Sequence, residues 1–112
     1  MRRRLLRGVL SVCLVAVLAP RAGRAGDAAR GRAKAAACAV CHGAAGLSQV
    51  PDAPHLAGQP EVYLAEQLRA YRAGRRVHPV MSVVAKGLGD EDIADLAAWY
   101  ASIAVRVEVP KT

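Results

Sequence analysis

The stretch Cys38-Ala39-Val40-Cys41-His42 decides how the rest of this chain must fold. It places two thiols three positions apart and a histidine directly after the second, which is the attachment signal for c-type haem. Each thiol can add across a vinyl group of the porphyrin to give a thioether, and one helical turn holds the sulfurs at about the separation of the two vinyls. The next residue, His42, then reaches the iron from the same side. The pattern predicts one covalent haem c, with its iron, per chain.

Three other uses of Cys38 and Cys41 have less support. A structural zinc site wants four ligands, and the scattered histidines do not supply the paired spacings. A thioredoxin-like redox pair needs a strand before the motif, whereas an alanine-rich helix is predicted here. A plain disulfide suits an oxidising compartment but leaves the adjacent histidine without a role. Haem attachment is therefore the preferred interpretation.

An iron held by one histidine keeps a sixth position, and its occupant decides the function. The downstream candidates are His55, His78 and Met81. Met81 lies two residues after the proline in Val77-His78-Pro79-Val80-Met81-Ser82. The proline ring stiffens the backbone of the segment that would bring Met81 to the iron. A thioether favours ferrous iron and raises the reduction potential, while a second histidine would lower it. We predict Met81 as the second axial ligand, with His78 as its main competitor.

The composition of the chain agrees with a fold built around a cofactor. The 112 residues allow one small domain, and 54% of them are hydrophobic. Of these, 24 are alanine and none is phenylalanine, so little bulky apolar material is available for a core. Domains this small often need a cofactor, a metal or disulfides. The composition excludes a wholly disordered chain, a disulfide-rich miniprotein and a multi-pass membrane protein.

The first 25 residues read as a cleavable signal peptide. A basic head, an apolar run from Gly8 to Ala19 and a small-residue exit make up this pattern. The run is too short to cross a bilayer comfortably, since a spanning helix needs about 20 apolar residues. An uncleaved anchor is the alternative. We expect a signal peptide at 1–25, which would remove Cys13, a haem domain at 26–112, and a periplasmic location without integral membrane attachment.

Export changes the meaning of the formal charge of +7, which by itself suggests a nucleic-acid or membrane-surface partner. Six basic residues and no acidic ones precede residue 26, so the mature chain carries ten basic and nine acidic residues, a net +1. Nucleic acid is therefore not an expected partner. The remaining charges form a basic group at 69–76 and an acidic group at 90–95. These are either solvated helix ends or a dipole that orients the protein toward an acidic redox partner.

Three stretches are predicted to be helices. The first runs from an N-cap at Asp27 to Cys38, with Gly31 allowing close approach of another backbone. The second opens at Pro60 and stops at Gly74. The third is capped by Asp90 and presents one apolar face as far as Ile103, formed by Ile93, Leu96, Ala97 and Tyr100. Residues 43–59 and 75–89 are predicted to be irregular, and no run alternates like a strand. The expected fold class is all-α.

These residues resemble a bacterial class I cytochrome c, most closely one half of the diheme periplasmic members, over nearly the whole mature domain. The shared stretches are Gly31 to Cys38, the haem motif with Gly43, Pro54 to Gln59, Tyr63-Leu64 with Gln67-Leu68, Pro79 to Ser82, and Asp90 to Tyr100. The resemblance implies three to five helices and loops wrapped around one haem. It matches Cys38 and Cys41 to the thioether anchors and His42 and Met81 to the axial ligands. It matches Pro54 to the proline whose carbonyl accepts a hydrogen bond from the ligand histidine.

Three departures accompany this resemblance. The chain has one haem motif where the most similar family members carry two, Val84 replaces a second methionine, and His55 is expected to be exposed and not bound to iron. The implied function is electron transfer without catalysis, between redox proteins such as a respiratory complex, a terminal oxidase or a dehydrogenase. The alternatives are a haem subunit of one dehydrogenase complex, or a haem sensor or enzyme if Met81 does not bind the iron.

Overall fold

The computed structural model describes residues 25–111, and this part of the chain is helical, with no strand. Five helices follow one another along it: α1 (Ala28–Lys34), α2 (Ala36–His42), α3 (Glu61–Arg72), α4 (Met81–Lys86) and α5 (Asp90–Ser102). Except for Ala25, the predicted signal peptide lies outside the described residues, and so does Cys13. None of the described helices combines the length and the apolar character that crossing a membrane requires.

The first and last helices cross in close contact at Gly31. This glycine is buried in α1, and a Cβ added to it would overlap the backbone carbonyl of Asp95 and come within 2.7 Å of the Trp99 Cβ. Only a residue without a side chain fits there. The close approach predicted for Gly31 is confirmed, and its partner is α5.

A buried carboxylate fastens the same two helices together. Asp95 of α5 is fully buried and accepts hydrogen bonds from the Asp27 backbone N–H at 2.8 Å and the Lys34 Nζ at 2.8 Å. Arg30 donates to both carboxylate oxygens, through Nε and Nη2, each at 2.9 Å. These bonds, with that of Arg30 the largest influence, hold the pKa of Asp95 far below its usual range. The carboxylate therefore remains charged in the fold.

The core is small, as the composition indicated. All four residues predicted for the inner face of α5 are buried, and they pack with residues of α3 and with Ala35. The buried cluster consists of Ala35, Leu64, Ala65, Ile93, Leu96, Ala97 and Tyr100. Three of these seven side chains are single methyl groups. Cys38 and Leu56 pack against the cluster from outside, which places the first motif cysteine at the edge of the core.

The predicted first helix is divided in two. Its N-cap is confirmed, since the Asp27 Oδ1 accepts the Arg30 backbone N–H at 2.9 Å. At Ala35 the chain tightens, because the Cys38 N–H bonds to the Ala35 carbonyl only three residues back, at 3.0 Å. The second piece, α2, continues beyond Cys38 to His42. The whole haem motif therefore lies on one short helix.

The last helix begins differently from the prediction. Asp90 was expected to be the N-cap, but the cap residue is Gly89 and Asp90 is the first helical residue. The Asp92 Oδ2 accepts the Gly89 N–H at 3.0 Å, so a carboxylate within the first turn satisfies the amide before it. The second predicted helix starts at Glu61 with Pro60 as its cap, and Gly74, at φ +76°, ends it as expected.

A short helix lies within the stretch predicted to be irregular. Residues 75–89 contain α4, six residues long, which packs on α3. The imidazole of His78 holds its start, since Nδ1 accepts the backbone N–H groups of Val80 at 3.2 Å and Met81 at 3.3 Å. The Ser82 Oγ accepts the His78 N–H at 3.0 Å in return. Six residues are too few to show a helical period, so the sequence pattern does not reveal this helix.

Candidate functional site

His42 closes α2 and is buried, with only 7% of its surface exposed. Its Nδ1 lies 2.8 Å from the carbonyl oxygen of Pro54, twelve residues further along the chain. A ring N–H at Nδ1 donates to that carbonyl, which leaves the Nε2 lone pair available for a metal. The structure thus brings His42 and Pro54 together in the arrangement that the resemblance implies.

The two motif cysteines carry free thiols, with Cys38 partly buried and Cys41 exposed. Burial raises the pKa of the Cys38 thiol, and the neighbouring Tyr100 hydroxyl acts against this rise. Burial is also the main cause of the raised pKa of Tyr100. The Tyr100 hydroxyl lies beside the Cys38 sulfur and has no other hydrogen-bond partner among the described residues. A thioether sulfur has no proton but keeps lone pairs, so a Cys38 thioether would offer this hydroxyl an acceptor.

The loop between α2 and α3 is fastened to α5 beside this tyrosine. Gly46 adopts φ +72°, and a Cβ there would lie 2.8 Å from the Tyr100 ring. The Gly46 carbonyl accepts the Leu56 N–H at 2.8 Å and the Ala57 N–H at 3.1 Å. The Gly58 N–H, one residue later, donates to the Tyr100 carbonyl at 2.9 Å. These bonds position the segment after Pro54, whose carbonyl faces His42.

The remaining ligand candidates occupy different places. Met81 is the first residue of α4 and is half-buried, and its role as a ligand stays a prediction. His78 uses its Nδ1 to cap the same helix. His55 is exposed, and its Nδ1 accepts the Ser48 N–H at 2.8 Å. No three His, Cys, Asp or Glu side chains gather as metal ligands within 25–111.

The residues present fit a haem of the c type. They supply two free thiols and a buried histidine whose second ring nitrogen is available. They also supply a tyrosine hydroxyl that needs a partner beside one of the sulfurs. The sequence predicted the cysteines, His42 and Pro54 as site residues, and of these His42 and Pro54 are in direct contact. It missed the Tyr100 hydroxyl and the capping by His78, because neither contact leaves a periodic or spaced pattern in the sequence.

The basic and acidic groups of the sequence are less separate than predicted. Arg72 pairs with Asp90 at 2.6 Å, which joins the two groups and lowers the pKa of that carboxyl. Arg75 pairs with Glu66 at 2.9 Å. Arg76 bonds to Gln67 and lies over the ring of Tyr71, 4.6 Å from its centroid. Part of the charge separation that a dipole would require is therefore neutralised within the fold.

Known proteins are similar in sequence to this chain. The family model for cytochrome c matches residues 28–104. Cytochrome c-554(548) of Halomonas halodenitrificans is 47% identical over 64 residues, which cover 54% of this chain and 77% of that protein. The thiosulfate dehydrogenase electron acceptor of Thiomonas intermedia is 45% identical over 64 residues, covering 55% of this chain and 29% of that protein.

A solved structure shows the same architecture. Reduced cytochrome c4 from Pseudomonas stutzeri superimposes with a TM-score of 0.68 at 39% identity, over 71% of this chain and 47% of that one. The chain therefore spans about half of that relative and under a third of the electron acceptor.

The chain belongs to the cytochrome c family. The predicted all-α class I fold, the haem c cofactor and the role in electron transfer are thereby confirmed.

Proposed function

We propose that this chain works in the periplasm as a one-electron carrier, with haem c attached through Cys38 and Cys41 and with His42 and Met81 as axial ligands. The buried His42 carries the proposal, because its Nδ1 bond to Pro54 at 2.8 Å aims the other ring nitrogen away from the loop. Met81 is preferred to His78 because the His78 Nδ1 accepts two backbone N–H groups, so a neutral His78 ring carries its proton on Nε2 and has no lone pair there for iron.

Bound haem c supplies a reversible one-electron couple. The bond from His42 to the Pro54 carbonyl fixes the ring and makes the imidazole a stronger electron donor. A Met81 thioether is soft and neutral, so it favours the ferrous state. With His42 and Met81 both holding the iron, no position would be left open for a substrate. Electrons would then pass to and from partner proteins without chemistry at the metal.

Replacing Met81 with alanine is expected to open the sixth position. In protein purified from the periplasmic fraction, the weak far-red charge-transfer band of the oxidised state should disappear and a high-spin spectrum replace it. The potential should fall by on the order of 100 mV, since axial ligands set haem potentials over about 0.8 V. The matched control is His78→Asn, because the asparagine Oδ1 replaces the capping Nδ1 while Nε2 is lost. A wild-type spectrum without this band, together with a high-spin spectrum in His78→Asn but not in Met81→Ala, would assign the ligand to His78.

A second candidate function is supported by the relative from Thiomonas intermedia, which is named as the electron acceptor of thiosulfate dehydrogenase. In that case this chain would accept electrons from one such enzyme. Oxidised protein mixed with a thiosulfate dehydrogenase and thiosulfate should then be reduced at least about tenfold faster than with the enzyme denatured. The haem absorbance measures this directly. Equal rates in the two mixtures would leave the general carrier as the function.

A further inference from the structure

The loop that carries Pro54 has no regular secondary structure, yet it must hold one carbonyl 2.8 Å from His42. The bonds from Leu56 and Ala57 to Gly46 fix the segment after Pro54. They leave open what fixes the segment before it. A turn bond from the Ala53 N–H to the Val50 carbonyl at 3.2 Å lies within that segment, and the contact between Ser48 and His55 closes the loop around it.

Ser48 forms hydrogen bonds through both its backbone and its side chain. Its backbone N–H donates to the His55 Nδ1 at 2.8 Å, across seven residues of loop. Its Oγ donates to the Cys41 carbonyl at 2.8 Å and accepts the Val50 N–H at 3.0 Å. We call the contacts of Ser48 with His55 and Cys41 the Ser48 clasp. It ties the imidazole of His55 to the haem motif.

The Ser48 clasp closes a ring that contains the ligand histidine. The Pro54 carbonyl and the backbone nitrogen of His55 belong to one planar peptide unit. The position of the His55 backbone therefore sets the direction of that carbonyl. Cys41 is likewise joined to His42 by a peptide bond. The ring runs from His42 to Pro54 and His55, across to Ser48, and back through Cys41 to His42.

We propose that His55 is a positioning residue, which acts through Ser48 and Pro54 to strengthen the hydrogen bond on His42 and so lowers the haem potential. The inference rests on the proposed ligation by His42. A stronger bond from Nδ1 makes the imidazole more electron-rich and stabilises ferric iron. His55 must present an unprotonated Nδ1 to accept the Ser48 N–H.

Two variants of nearly equal size separate this role from simple packing. In His55→Asn, the Oδ1 occupies the place of Nδ1 and can accept the Ser48 N–H. In His55→Leu, a methyl group occupies that place and accepts nothing. Gln49→Leu adds the same apolar side chain at an exposed neighbour in the loop and serves as the control.

The measurements are the midpoint potential of the holoprotein and the solvent exchange rate of the His42 ring N–H by NMR. At the wild-type midpoint, His55→Leu should raise the ratio of reduced to oxidised protein about threefold, which is about 28 mV at 59 mV per tenfold change. Its His42 N–H should also exchange faster. His55→Asn and Gln49→Leu should match the wild type in both measurements.

A His55→Leu protein with unchanged potential and unchanged exchange would overturn the proposal, and so would an equal shift in His55→Asn. If His55→Leu does not take up haem, Ser48→Ala replaces it, because this variant removes the bond to the Cys41 carbonyl. The same rise in potential is expected, and no rise would be decisive against the clasp. Failure of the proposed function would look different, since wild-type protein would then lack covalent haem or histidine ligation.

Discussion

The double variant Cys38→Ala/Cys41→Ala is expected to contain no covalent haem and to lose most of its helical structure. Its buried cluster has seven side chains, three of them alanine, which is too little to stabilise a domain of this size alone. Acid-acetone extraction should remove all haem from the variant and none from the wild type. Far-UV circular dichroism should show the loss of helix.

A single substitution provides the matched control for that result. Cys41→Ala removes the exposed thiol and leaves the partly buried Cys38 beside Tyr100. One thioether then remains available, so part of the haem should resist extraction and the helices should persist. Haem that stays with the double variant after extraction would show that the motif is not its point of attachment.

The second large effect is expected at Asp95, where asparagine should lower the melting temperature by about 10 °C or more. The substitution removes a fully buried charge that holds Arg30, Lys34 and the start of α1. Asp92→Asn is the control in the same helix, since Asp92 also bonds to Lys34 but is 38% exposed. Its melting temperature should change by only a few degrees. Equal effects of the two variants would argue against a special contribution of the buried Asp95 carboxylate.

Acid should reduce the difference between wild type and Asp95→Asn. The pKa of Asp95 is held far below its ordinary value, so its contribution to stability is complete above the unfolded pKa, about 4. The contribution declines as the pH falls from there toward the folded pKa. Melting curves at several pH values between about 7 and 2 should therefore converge on the acid side. A constant difference would mean that charge is not what Asp95 supplies.

Local patterns in the sequence predicted most of the features that depend on neighbouring residues. The cysteine spacing predicted the cofactor, the periodic face of α5 predicted its buried residues, and Asp27 and Gly74 marked helix ends. Each of these depends on neighbours within about one helical turn. The division at Ala35 and the helix α4 depend on bonds that a short stretch of sequence does not reveal.

Contacts between distant positions were the part that sequence could not supply. Asp95 reads as one more acid of a charged helix, yet it is fully buried because Arg30 and Lys34 converge on it from α1. The site shows the same division. The haem motif predicted His42 and the family resemblance implied Pro54, while the Ser48 clasp depends on a loop that folds back seven residues to meet His55.

The buried Asp95 carboxylate that joins α1 to α5 also affects the order in which the domain assembles. Its bonds join residues 61 to 68 positions apart, so the contact forms only after nearly all of the domain is available. The motif cysteines lie inside that interval, and Tyr100 of the last helix is the neighbour of Cys38. Until α5 docks, Cys38 lacks the neighbours in α5 that help to bury it. Both cysteines are thus most open to haem before α5 docks, and slower docking of α5 would lengthen that period.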